Sequence, residues 1–148
     1  MYFPILRGRQ FELLALRECV KENVLSSQII PIVEPVKVSS TYIKTIDSFI
    51  EAEKPIAVIR NPQVGSWSKD LKKESNINIS AQFQKQCKAP CVISSFYVTP
   101  ELEKDIRSAI EKGNSIESML LLCNNPEYVD EYENVIGEKT PLYTLIPD

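Results

Sequence analysis

The sequence predicts an α/β fold of repeated βα units with a parallel sheet, a partial TIM-like (β/α) barrel; an open doubly wound parallel sheet is the alternative. Three observations predict it. Six short apolar runs recur at near-regular intervals along the 148 residues. Helical patterns fill the gaps between them. No Gly-rich turn follows the first run, as the dinucleotide-binding form of the doubly wound fold would require. Strand-helix repetition of this kind implies parallel strands joined by right-handed crossovers.

The apolar runs cover residues 2–6, 29–33, 56–59, 91–97, 119–123 and 142–146. Most are continuous rather than alternating, as strands buried on both faces are. Leu120-Leu121-Leu122 reads as strand from its shortness and its flanks. Pro4 and Pro31 fall inside runs, and proline cannot donate to a ladder, so those strands should be edge-like or bulged there. Between the runs, residues 10–24 predict a helix with Phe11, Leu14, Ala15 and Leu25 on its inner stripe and Glu12, Arg17 and Lys21 towards water. Residues 39–53 open on Ser39-Ser40 as caps, with Ile43, Ile46, Phe49 and Ile50 at helical spacing. A weaker helix covers 79–88. Residues 99–112 carry Thr99 as N-cap, Pro100 in the first turn, Glu101 and Glu103 at the positive end, and Gly113 as the stop. Residues 126–136 repeat the device with Asn125, Pro126 and Gly137. Residues 61–78 show no clear period and read as a long loop.

The expected organisation is one α/β domain over residues 1–148. An eight-fold barrel usually takes about 250 residues. Six strands therefore suggest the N-terminal part of a longer barrel, or a barrel completed by self-association.

Composition excludes more than it suggests. There is no histidine, so neither a Ser-His-Asp nor a Cys-His mechanism is available, nor a zinc site built on imidazole. Four scattered glycines make no phosphate-binding loop. Seventeen basic and twenty acidic residues give a net charge of −3, which does not indicate broad nucleic-acid binding. Cys19, Cys87, Cys91 and Cys123 lack the paired spacing of a zinc ribbon and read as reduced core thiols. The start does not resemble a signal peptide, and no apolar run approaches the roughly 18 residues of a membrane span. The expected location is the cytoplasm. The sequence leaves the cofactor unknown.

What chemistry there is gathers at strand ends. The runs are followed by Arg7, by Glu34-Pro35, by Arg60-Asn61-Pro62, by Asn124-Asn125-Pro126 and by Pro147-Asp148; Ser94, Ser95 and Tyr97 stand near the end of the fourth. Parallel strands put such residues on one rim, where ligands bind in both competing folds. Arg7 and Arg60 are candidates for gripping a phosphate or carboxylate, with Asn61 beside them. Glu34 is a candidate general base or metal ligand. The bland alternative is a structural ion pair of either arginine with Glu34. Asn124 and Asn125 read as helix caps. Trp67, the only tryptophan, stands near Lys69, Lys72 and Lys73, and would either stack on a base or sugar or pin its loop to the body. The stretch Glu127, Asp130, Glu131, Glu133 reads as a solvated helix face.

Three blocks, MYFPILRGRQFELLALREC, IIPIVEPVKVSSTYIKTIDSFIE and IAVIRNPQVGS, resemble the bacterial and phage beta protein family, in the bacterial branch that opens on Tyr-x-Pro-x-Leu-Arg-Gly-x-Gln-Phe-Glu. The matching residues are Tyr2, Pro4, Arg7, Gln10, Glu12, Pro31, Glu34 and Pro35, with Arg60, Asn61, Pro62 and Gly65 in the closer branch. The resemblance implies a TIM-like barrel of roughly twice this length. It carries no particular activity. It also implies a nuclease-like protein encoded nearby, in a phage-defence or mobile-element setting. Two functions follow as expectations. One is a non-catalytic partner component of such a module. The other is an enzyme acting on a phosphorylated or nucleotide-like ligand at the strand-end rim.

Overall fold

The computed structural model describes residues 1–146. Among these residues six strands and six helices follow one another, with two helices between β3 and β4: β1 (Ile5–Arg7), α1 (Gln10–Lys21), β2 (Ile32–Glu34), α2 (Ser40–Glu51), β3 (Ile56–Ile59), α3 (Trp67–Leu71), α4 (Ile77–Gln86), β4 (Val92–Tyr97), α5 (Leu102–Glu111), β5 (Leu120–Leu122), α6 (Val129–Ile136) and β6 (Tyr143–Leu145). The strands form one sheet in the order β1-β2-β3-β4-β5-β6. Pairing is parallel, with Ile5 opposite Ile32, Val33 opposite Val58, Phe96 opposite Leu121 and Leu121 opposite Thr144. A doubly wound sheet reverses its strand order part-way. Here the order follows the chain without a reversal, as in a (β/α) barrel, so the fold is α/β with the winding of a partial barrel. The sixth strand end, Pro147-Asp148, lies outside the described residues.

Both prolines sit just ahead of their strands rather than within them. The β1–β2 ladder continues backwards through Ile32 N–H to Pro4 O (2.8 Å) and Ile30 N–H to Tyr2 O (2.9 Å). Pro31 O accepts from Ala57 N–H at 2.9 Å. Each proline thus serves as an acceptor, and the missing donor falls at the strand entrance, where it removes a single rung.

The chain divides into two compact units, Met1–Val58 with Pro62–Ile93, and Ile59–Asn61 with Ser94–Asp148. Each has its own core. In the first, α1 and α2 contribute Leu13, Leu16, Ile43, Ile46 and Phe49, which close over Val33 and Val58 together with Trp67 and Phe83. In the second, Leu102, Ile106 and Ala109 of α5 close over Phe96 and Leu121, with Met119 and Ile136. Fully burying side chains of this size contributes about 1.5–3 kcal/mol each before entropy is charged.

Most helix ends follow the local signals. Ser39 Oγ accepts the Tyr42 N–H at 3.2 Å as N-cap of α2. Thr99 is an exception: it is not the N-cap of α5, because its Oγ1 accepts the Glu101 N–H in a turn that holds Pro100 ahead of the helix, and α5 starts at Leu102 with Glu101 as an N-cap that makes no side-chain cap bond. Asn125 Oδ1 accepts from Glu127 N–H and opens a 3₁₀ turn at Pro126–Tyr128 ahead of α6. Gly113 and Gly137 terminate α5 and α6 with positive φ.

Two expectations are corrected. The buried face of α1 is Leu13, Leu16 and Val20, whereas Phe11 is 83% exposed and Leu14 and Ala15 also face solvent. The Phe11–Leu14 stripe runs one turn later into Arg17, Glu18 and Lys21 and cannot continue as core; the Leu13–Leu16–Val20 stripe stays apolar for two turns. Residues 61–78 are not a structureless loop: they hold α3, a 3₁₀ turn at Glu74–Asn76 and the start of α4 at Ile77.

Candidate functional site

The strand-end residues form two groups, one in each unit. In the first unit, Arg7 and Glu34 are register partners at the ends of β1 and β2. The chain turns immediately after Arg7, and Gly8 N–H donates to Glu34 O at 2.7 Å. A Cβ at Gly8 would lie 3.2 Å from that oxygen and 3.2 Å from Tyr42 Cδ2, so a larger residue in this tight passage would require those neighbours to shift by a few tenths of an ångström. The Glu34 side chain is only 4% exposed, and its Oε1 accepts the Gln63 N–H at 2.9 Å. Two residues on, Val36 O accepts the Ser66 N–H at 2.8 Å. Gly65 has φ +69, and a Cβ there would stand 2.0 Å from Val36 O. The segment after β2 and the segment entering α3 are therefore sewn together by Glu34 and by main-chain bonds.

That seam delivers Trp67 to the core. It is 1% exposed, with ring centroids 4.9 Å from Tyr42 and 5.0 Å from Phe83. Its surroundings are those of an indole that pins its segment. The lysines following it stay at the surface, where Lys73 pairs with Asp70 at 2.7 Å. Arg7 is exposed.

In the second unit, Arg60 N–H continues the ladder to Ser95 O at 2.8 Å, while Nη1 donates to Ser94 Oγ at 3.1 Å. Ser94 is 2% exposed, so the guanidinium serves a buried hydroxyl. Asn61 imitates a strand residue with its side chain. Nδ2 donates to Tyr97 O at 3.0 Å, Oδ1 accepts Tyr97 N–H at 2.9 Å, and Nδ2 also donates to Asp105 Oδ2 at 3.0 Å. A carboxamide satisfies both a donor and an acceptor, which neither a carboxylate nor an amine does. Burial pushes the Asp105 carboxyl above its ordinary value. The Asn61 donor opposes that rise, Glu101 adds to it and Lys104 opposes it.

Asp105 is the functional-looking residue that the sequence reading missed. Its signal was faint: one acid among Glu101, Glu103 and Asp105 at the start of α5, distinguished only by standing next to the buried Ile106. Asn124 is exposed and Asn125 caps, as helix-start residues do. Among the described residues no three His, Cys, Asp or Glu side chains are grouped to hold a metal ion. No helix there is long and apolar enough to cross a membrane.

Chemically, the first group supplies an exposed guanidinium next in register to a buried carboxylate, and the second a hydrogen-bonded carboxamide–carboxyl pair. Away from the strand ends, two grooves lie between helices. One, of about 840 Å³, separates α1 from α2; the other, of about 450 Å³, separates α5 from α6. No family model, curated protein or solved structure matches the chain.

Proposed function

We propose that the chain is a non-catalytic partner component that works in the cytoplasm, in a phage-defence or mobile-element module of the kind the beta-family resemblance implies. The observation that supports this reading is how the strand-end side chains are used. Glu34 accepts a main-chain N–H from the segment leading into α3, Arg60 holds Ser94, and Asn61 closes on Tyr97 and Asp105. Side chains committed to holding loops and strand ends serve the fold first. The test is co-expression with the nuclease-like protein expected to be encoded nearby, followed by size-exclusion chromatography. Co-elution at concentrations on the order of micromolar is expected, and two separate peaks there would overturn the reading.

One observation favours the second reading, an enzyme acting on a phosphorylated or nucleotide-like ligand. Arg7 is exposed beside Glu34, and among the described residues it pairs with no carboxylate. Titration with a nucleoside monophosphate should then give a heat that Arg7→Ala abolishes. Equal heats from the two proteins would remove this reading.

A further inference from the structure

Helices α5 and α6 pack against each other in the second unit and leave the 450 Å³ groove between them. Its floor is aliphatic. Ile106 is buried, Val135 is partly buried, and Ile110 stands 43% exposed at the rim. Its walls are acidic, from Glu103, Glu111 and Glu131. The one cation in the lining, Arg107, is tied to Glu103, which leaves Glu111 and Glu131 uncompensated within the lining. The surrounding unit has the same sign, with five basic against ten acidic residues among those described. The groove between α1 and α2 is different: Arg17 and Lys21 balance Glu18 and Glu51, so its lining selects no charge.

An apolar floor between walls of a single sign specifies its occupant. Helix-in-groove recognition places side chains at i, i+3 or i+4, and i+7 on the floor, while flanking charges fix sign and orientation. We infer that the α5–α6 groove is a docking surface for a basic amphipathic helix of a partner protein. Aliphatic side chains of that helix lie on Ile106, Ile110 and Val135, and its lysines or arginines face Glu111 and Glu131. This rests on the partner reading above and names the chemistry of the partner.

The test uses the 148-residue chain and a fluorescent Leu/Lys peptide whose leucines form one helical face. A second peptide of the same composition has its leucines scattered around the helix. The amphipathic peptide should bind at least about tenfold more tightly than the scattered one, and its affinity should fall as salt rises. Ile110→Ser should weaken binding, and Glu111→Lys with Glu131→Lys should weaken it by about tenfold or more. Lys21→Glu, in the other groove, should leave it unchanged. An unaltered thermal melt of each variant establishes that the fold is intact. Equal affinity for the two peptides, or an unchanged affinity in the double charge reversal, overturns the inference. The same double variant is then carried through the co-elution experiment. A complex that survives the reversal overturns the groove as the partner's seat and leaves the partner reading standing. Peptide binding by the groove without any complex with the encoded neighbour overturns the partner reading alone.

Discussion

The Asn61 carboxamide closes on both polar atoms of Tyr97, donating from Nδ2 to its carbonyl at 3.0 Å and accepting its N–H at Oδ1 at 2.9 Å. Tyr97 is buried, so its main-chain groups depend on partners inside the protein. Asn61→Ala leaves both without this partner and should cost about 2–4 kcal/mol in urea denaturation. Asn61→Asp keeps the acceptor but turns an oxygen towards Tyr97 O and Asp105. Its deficit should be greatest at neutral pH and shrink in acid.

Asp105 makes the second unit sensitive to pH in a defined direction. Burial raises its carboxyl above the ordinary 3.8, and the Asn61 donor only partly offsets that; Glu101 raises it and Lys104 lowers it further. A folded state that holds a proton more tightly than the unfolded chain has its full contribution below 3.8 and loses it as pH rises through the raised value. Asp105→Asn, which still offers Asn61 an acceptor, should be more stable than the wild type above that window. Asp70 acts in the opposite sense: Lys73 and then Ser66 lower it, so its contribution is present above 3.8 and is lost as pH falls. Stability should therefore be measured as the difference between Asp105→Asn and wild type across pH. A flat difference would remove the assignment.

The glycines separate strain from mere conformational preference. Gly65→Ala must place a methyl group 2.0 Å from Val36 O at φ +69, and should destabilise by about 3 kcal/mol or more. Gly113→Ala has φ +99 but nothing within 4 Å, so only the backbone preference is lost, about 1 kcal/mol. Thermal melts of the two variants should differ accordingly.

Trp67 is the largest side chain fully buried in the first core. Trp67→Ala should cost about 3–5 kcal/mol in chemical denaturation. Trp67→Phe, which retains a ring against Tyr42 and Phe83, should cost less than half as much.

The alternation of strands and helices was legible because buried parallel strands leave continuous apolar runs, and because Ser39 and Asn125 mark helix starts with their own side chains. Other features depend on distant parts of the chain. Which stripe of α1 enters the core is decided by where charges interrupt each stripe, and Phe11 misled because Leu14 and Ala15, one turn on, are apolar, while the charges of Glu18 and Lys21 come only in the turn after. The rim residues Arg7, Glu34, Arg60 and Asn61 were legible as strand ends. Their partners were not: Gln63 lies 29 positions from Glu34, and Asp105 lies 44 from Asn61. Trp67 was read among lysines in a loop, yet its environment comes from Tyr42 and Phe83, supplied by α2 and α4.

The single tryptophan belongs to the first of two separate hydrophobic clusters, while Tyr128 and Tyr132 pack on the second. Tryptophan emission therefore follows the loss of one cluster, and far-ultraviolet circular dichroism follows the helices over both. If the two optical signals trace the same denaturation curve, the clusters melt as one cooperative transition; if they separate, the molecule passes through a state in which one cluster has dissolved and the other persists.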